Sequence, residues 1–213
     1  MIVNERIVTY IHSLEKEGSH ICKEIERFSI ETKVPIIRKE MESFLKVMLT
    51  IRKPLNILEV GTGIGYSAIL MSEFISEDSK ITTIENYKKR IPIAEENIKK
   101  SGNEKVIKLI NGDATMVLKE LNDKYDFIFM DAAKGQYINF LPDVLRLLDT
   151  GGILISDNVL QEGELIESRY AVERRNRTIH SRMREYMYEL KNNPLLETTI
   201  VPIGDGITLS VRK

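Results

Sequence analysis

Apolar residues recur along the chain first at helical spacing and then in short strand-like runs. Ile2, Ile7, Val8, Ile11 and Leu14 fall on one helical face, and Gly18 interrupts it. Ile21, Ile25 and Phe28 predict a second helix. Pro35 stands at the start of a third, which carries Ile37, Met41, Phe44, Leu45, Met48 and Leu49. At Pro54 the texture changes. The run Asn56 to Gly61 is short, apolar and closed by glycine, and a helical stretch from Tyr66 to about Ile75 follows. The alternation then repeats. Strand-like runs from Lys80, Lys105 and Tyr125 are each followed by a helical stretch (through Asn97, Ala114 to Leu121, and Phe140 to Leu148), and a run from Gly152 closes the series. Short apolar strands alternating with 10–15-residue helices predict βαβ units, hence an α/β fold with a mostly parallel sheet and helices on both faces. A long helix is expected from about Arg169 to Leu190. Two closing strands, Leu196 to Pro202 and Gly206 to Val211, are expected to form an antiparallel hairpin at one edge, turning at Gly204-Asp205-Gly206. The organisation expected is one domain over residues 1–213, with a helical prefix (1–52) and an α/β core (53–213).

Composition narrows the class. With 213 residues and 42% hydrophobic content, one compact domain with a sizeable core is expected. The net charge of −1 excludes a uniformly basic coat but leaves room for a local basic patch. The single cysteine, Cys22, forbids an intrachain disulfide and a Cys-rich zinc site, as suits a reducing compartment. No run approaches 18 apolar residues, and the N-terminus carries acidic and basic residues, so no membrane span or signal peptide is expected. These features predict a cytoplasmic protein without a membrane partner.

Glu59-Val60-Gly61-Thr62-Gly63-Ile64-Gly65-Tyr66 lies where the first strand turns into its helix. Gly61 and Gly63 there let the backbone approach a ligand closely. A dinucleotide fingerprint would need glycine at position 66, where Tyr66 stands, and this disfavours a nicotinamide dehydrogenase. Glu85 ends the second strand, where a carboxylate accepts ribose hydroxyls. Asp113 ends the third and is positioned for an adenine amino group. Glycines that merely close a turn are the bland alternative, but two acids at successive strand ends favour nucleoside binding. This pattern resembles the S-adenosylmethionine-dependent methyltransferases of the Rossmann-like class, which implies a seven-stranded sheet and that methyl donor as cofactor.

The fourth strand ends Asp131-Ala132-Ala133-Lys134 and the fifth Ser156-Asp157-Asn158. Two carboxylates and an amide oxygen at adjacent strand ends make a hard-cation set suited to Mg²⁺, with Ca²⁺ or Mn²⁺ as alternatives. Taken singly, Asp-Asn after a strand is more often a turn, and such a lysine is usually solvated. Together the motifs resemble the cation-dependent O-methyltransferases, which include the catechol and caffeoyl-coenzyme A enzymes. The resemblance implies Asp131, Asp157 and Asn158 as metal ligands, with Asp131 also near the donor and Lys134 as the catalytic lysine. It further implies Met41, Glu59, Ser67 and Ala114 as donor-contacting residues and favours a homodimer.

The acceptor is addressed by residues 167–184, where Arg169, Arg174, Arg175, Arg177, Arg182 and Arg184 face only two glutamates. Arginine suits bidentate phosphate recognition, whereas a solvated helix face is the ordinary reading of such a run. Tyr170, Tyr186 and Tyr188 either stack on bases or pack, and His180 is structural or a phosphate contact. The chain as a whole, including Val159 to Gly163 and Arg174 to His180, is similar to bacterial tRNA 5-hydroxyuridine methyltransferases. That resemblance implies tRNA as partner, the six arginines as its contacts, and 5-methoxyuridine at the wobble position as product. A small-molecule catechol or acyl-coenzyme A O-methyltransferase is the competing expectation. A non-catalytic nucleotide-binding module would need neither Lys134 nor the three oxygen ligands.

Overall fold

The computed structural model describes residues 3–213, so Ile2 of the first apolar stripe lies outside the described residues. Three helices lead: α1 (Glu5–Leu14), α2 (His20–Thr32) and α3 (Lys39–Arg52). The strands are β1 (Asn56–Val60), β2 (Lys80–Glu85), β3 (Ile107–Asn111), β4 (Tyr125–Met130), β5 (Leu148–Ser156), β6 (Leu196–Val201) and β7 (Ile207–Arg212). Between them run α4 (Tyr66–Ser72), α5 (Ile91–Ser101), α6 (Ala114–Glu120), α7 (Tyr137–Leu147) and α8 (Arg177–Asn192). The seven strands form one sheet in the order β3-β2-β1-β4-β5-β7-β6. The first five are mutually parallel. β7 runs antiparallel between β5 and β6, so the expected hairpin is present with β6 outermost.

Local chemistry accounts for the element ends. Ser19 caps α2 by accepting the Cys22 N–H, and Asp113 caps α6 by accepting the Thr115 N–H. Pro92 sits in the first turn of α5, and Gly102 closes that helix in the left-handed region at φ 72°.

Alternate residues of the central strands feed two cores, as a sheet covered on both faces requires. Ile57, Phe127, Phe129, Ile153 and Ile155 pack with Cys22, Ile25, Met41, Leu45 and Leu49 of the prefix and with Ile69 of α4. Leu58, Val60, Ile128, Met130 and Leu154 pack on the other face with Tyr137, Phe140, Val144, Met183, Tyr186 and Leu190. The prefix therefore shares the sheet's core. α1 differs: it has no buried residue, and its apolar positions Ile7, Ile11 and Leu14 stay exposed.

The last helix departs from expectation. It begins at Arg177, not near Arg169, and residues 168–176 form turns and a short 3-10 segment (Arg174–Asn176) beside it. Carbonyls left free by that irregular backbone accept side-chain bonds instead. Arg177 donates to Val172 and Tyr170, Arg184 to Leu165 and Glu167, and the His180 ring is 3.1 Å from the Glu167 carbonyl oxygen.

Candidate active site

Strand order reverses between β1 and β4, the place where open α/β sheets bind ligands outside their carboxyl ends. The register aligns those ends: Val60 pairs with Ile84 and Met130, Glu85 with Asn111, and Met130 with Ser156. The segments after β1 to β5 thus share one edge. They surround a cleft of about 790 Å³, a volume suited to a small ligand. Gly61, Gly63, Ser67, Glu85, Asp113, Ala114, Asp131, Lys134, Asp157 and Asn158 all line it, as does Arg38 from the α2–α3 linker.

The glycines of the loop do different work. A Cβ on Gly61 (φ +106°) would lie 2.0 Å from the Asp131 carbonyl oxygen, so this glycine lets β1 exit against the end of β4. A Cβ on Gly63 (φ +57°) would meet nothing within 4 Å, so here open space and a left-handed backbone coincide at the cleft. Glu85 faces this loop. Its Oε2 accepts the Gly63 N–H (2.8 Å), and its Oε1 accepts those of Asn86 (3.0 Å) and Tyr87 (2.9 Å). Oε1 thereby spends both lone-pair directions on the backbone, and Oε2 retains one for a ligand hydroxyl. Asp113 is exposed, and its hydrogen bond from Thr115 holds its carboxyl below the usual range.

Met41 and Glu59 sit elsewhere. Met41 is buried in the prefix core and does not line the cleft. Glu59 is fully buried behind the loop, where it accepts the hydroxyls of Ser67 (2.5 Å) and Thr83 (2.5 Å). Burial pushes its carboxyl up to about 7. The alternation of β1 turns Glu59 toward α4, so its role here is to anchor the helix that follows the glycine loop. Tyr66, which replaces the fingerprint glycine, donates toward Glu26 (2.6 Å) and Glu42 (2.7 Å) and ties α4 to the prefix.

At the other end of the cleft, Asp131 and Asp157 follow register-paired residues. Burial raises both carboxyls, and the charge of Asp131 raises Asp157 further; Lys134 and Arg90 oppose the rise at Asp131. Asn158 stands beside them in a left-handed conformation (φ 55°), and its N–H donates to Asp157 Oδ1 (2.6 Å). Asp157 is buried and Asp131 half-buried, and two such carboxylates facing each other are costly unless a cation or proton joins them. No three His, Cys, Asp or Glu side chains gather as a metal group among the described residues. A cation here would be held by two carboxylates and an amide oxygen, with water or a ligand oxygen completing its shell. That donor set fits a hard divalent ion.

Two residues given no site role by the sequence complete this end. The buried Tyr137 hydroxyl shares its proton between the carbonyls of Met130 (3.1 Å) and Asp157 (3.2 Å), pinning the β4 and β5 ends together. Asp205, from the β6–β7 turn, is 4% exposed and lies 3.6 Å from Lys134 Nζ. The i, i+3, i+4, i+7 spacing of Tyr137, Phe140, Leu141 and Val144 could have flagged Tyr137 as a helix-face residue, but nothing in the sequence pairs Asp205 with Lys134.

The arginine segment is mostly committed to the protein itself. Beyond Arg177 and Arg184, Arg182 donates to the Gly135 carbonyl (3.0 Å) and Arg175 pairs with Glu173 (2.7 Å). Arg169 and Arg174 are exposed and have no recorded side-chain partner among the described residues. Tyr186 is fully buried with its hydroxyl 2.6 Å from Ser156 Oγ, so it packs and does not stack on a base. Tyr170 and Tyr188 are exposed.

The sequence and the fold both have known relatives. The family model described as O-methyltransferase matches residues 12–213. A caffeoyl-CoA O-methyltransferase from Nicotiana tabacum is 34% identical over 183 residues, covering 79% of this chain and 73% of its own. The Medicago sativa caffeoyl-CoA O-methyltransferase is 32% identical over 183 residues, covering 79% and 71%. Among solved structures, an S-adenosylhomocysteine-bound methyltransferase from Podospora anserina superposes with a TM-score of 0.87 at 27% identity, covering 98% of this chain and 94% of that one. With its seven-stranded Rossmann-like sheet and a family match spanning nearly its whole length, the chain belongs to the O-methyltransferase family.

Proposed function

We propose that the protein transfers the methyl group of S-adenosylmethionine to a hydroxyl of a small catechol-like or acyl-coenzyme A acceptor, assisted by a divalent cation. The carrying observation is that one cleft joins the glycine loop, Glu85 and Asp113 to an oxygen-rich half, Asp131, Asp157 and Asn158, that bears Lys134. The relatives named caffeoyl-CoA O-methyltransferases support the acceptor class.

In this reading Glu85 Oε2 accepts a ribose hydroxyl, Asp113 meets the adenine edge, and Gly63 leaves room for the donor's close approach. Asp131, Asp157 and Asn158 hold the cation, which supplies acidity to an acceptor hydroxyl when bound. Lys134, on the same wall, takes the hydroxyl proton or neutralises the developing oxyanion. Methyl transfer is an in-line displacement, so much of the acceleration comes from holding the acceptor oxygen behind the methyl carbon. Tyr137 serves that alignment by fixing the two strand ends.

Exposed Arg169, Arg174 and Tyr170 favour a second reading, methylation of 5-hydroxyuridine in tRNA at the wobble position, because they remain available to a polyanion. The test is methyl transfer from labelled donor to caffeoyl-coenzyme A, to a simple catechol and to tRNA carrying 5-hydroxyuridine, each with Mg²⁺ and with chelator. Turnover of the small acceptors with none on tRNA supports the first reading. Turnover confined to tRNA, weakened by Arg169→Ala with Arg174→Ala, replaces it with the second. A homodimer in the cytoplasm is proposed for either reading, and sedimentation of the purified chain tests the assembly.

A further inference from the structure

We propose that Asp205 is a positioning residue for the transfer step, holding Lys134 and the loop after Asn158 in a common frame. This inference rests on the reading of Lys134 as the acceptor-side lysine. Asp205 does not line the cleft, so it acts from behind the wall. One carboxylate oxygen accepts the Glu162 N–H, and the other faces Lys134 Nζ at 3.6 Å. Its backbone carbonyl accepts the Leu160 N–H (3.0 Å), and that of Gly206 accepts the Val159 N–H (2.9 Å).

The loop so gripped is one that resists its own conformation. Asn158, Gln161 and Glu162 all have positive φ (55°, 51° and 53°), a region non-glycine residues avoid unless their surroundings impose it. Asp205 supplies part of that imposition next to the proposed metal ligand Asn158. The distance to Lys134 matters as much. At 3.6 Å the contact is electrostatic and too long for a hydrogen bond. Lys134 makes no side-chain hydrogen bond among the described residues, so its N–H donors remain free for an acceptor oxygen while its charge is held in place. Asp205 is the only carboxylate within 4.0 Å of Nζ among the described residues.

Asp205→Asn separates the two functions. The amide oxygen still accepts from Glu162, while the charge facing Lys134 is gone. Single-turnover methyl transfer is measured with S-adenosylmethionine, Mg²⁺ and whichever of caffeoyl-coenzyme A, catechol or 5-hydroxyuridine tRNA the wild-type chain methylates. Calorimetry of S-adenosylhomocysteine binding runs in parallel. The expected result is a rate at least tenfold lower, with inhibitor affinity and acceptor KM within about threefold of wild type. Combined with Lys134→Met, Asp205→Asn should cause no further loss, because its effect passes through the lysine. A wild-type rate in Asp205→Asn, or full additivity in the double variant, overturns the inference while leaving the lysine's role intact. A wild-type rate in Lys134→Met alone removes instead the reading on which the inference stands. Should Asp205→Asn fail to bind the inhibitor through misfolding, Asp205→Glu displaces the same charge by one methylene. There a lowered rate with unchanged inhibitor affinity supports the inference, and an unchanged rate overturns it.

Discussion

Replacing Gly61 and Gly63 separately by alanine should give opposite phenotypes although the two lie two residues apart in one loop. At Gly61 the new Cβ would sit 2.0 Å from the Asp131 carbonyl oxygen and 2.7 Å from its carbonyl carbon. Ordinary contact begins near 3.4 Å, so the ends of β1 and β4 must part by more than an ångström. The hydrogen bond from Asp131 N–H to the Val60 carbonyl (2.9 Å) lies directly in the way of that movement. Overpacking costs about 1–3 kcal/mol, and losing a buried backbone bond costs about 1–3 kcal/mol more. The backbone at φ +106° adds about 1–2 kcal/mol for a residue with a Cβ. Gly61→Ala should therefore lose about 4 kcal/mol or more, lowering Tm by roughly 10 °C in a chain of this size. At Gly63 no atom lies within 4 Å, and the cost is only the left-handed backbone, about 1 kcal/mol. Its methyl group would instead occupy the space proposed for the donor, and S-adenosylhomocysteine affinity should fall at least tenfold. Urea denaturation and calorimetry on both variants read the two quantities. A Gly61→Ala chain within about 1 kcal/mol of wild type would refute the close-approach reasoning, and unchanged inhibitor affinity in Gly63→Ala would take the donor away from this loop.

Three further outcomes are expected. Glu59 ionises near 7 in the folded chain against 4.5 in the unfolded one, so its contribution is fully present below pH 4.5 and is lost as pH rises through 7, by about 3 kcal/mol. Glu59→Gln should flatten that decline, and urea midpoints at pH 5 and pH 8 for both proteins check the sign. Glu85→Ala should weaken S-adenosylhomocysteine binding by about 1–3 kcal/mol, because it removes the ribose acceptor and leaves the Gly63 N–H unpaired; calorimetry giving wild-type affinity removes Glu85 from the site. Chelation of divalent cations should abolish turnover while leaving inhibitor affinity nearly unchanged, and full turnover in EDTA would end the metal-assisted mechanism.

How far the sequence reached depended on whether a residue's partner was local. The strand ends were legible because a short apolar run in a parallel sheet has one reading, and its last residue must appear at the same edge as its neighbours'. That principle brought Gly61, Gly63, Glu85, Asp113, Asp131, Lys134, Asp157 and Asn158 to one cleft. Side-chain direction inside the strand was another matter. Glu59 precedes the loop by two residues, yet the pleat aims it at Ser67 and Thr83 behind the cleft. The arginines were harder still. Their spacing resembles a charged helix face, but Arg177 and Arg184 bond carbonyls of residues 165–172, which reach them only because the chain turns back before the α-helix starts at Arg177.

Asp205 shows what topology adds beyond any local pattern. In the sequence it stands between two glycines and reads as a turn former, more than seventy residues after Lys134. Had β7 joined the sheet in parallel, its preceding turn would lie at the edge opposite the cleft. Because β7 inserts antiparallel to β5, Thr208 pairs with Ser156, and the turn before it arrives beside Asp157 and Asn158. Gly206 completes the approach: a Cβ there would lie 2.3 Å from Leu160 Cγ, so only glycine lets the turn press against the loop following Asn158. The antiparallel strand thus carries a carboxylate into an edge otherwise built from parallel strand ends. The same reversal that closes the sheet supplies the counter-charge for Lys134.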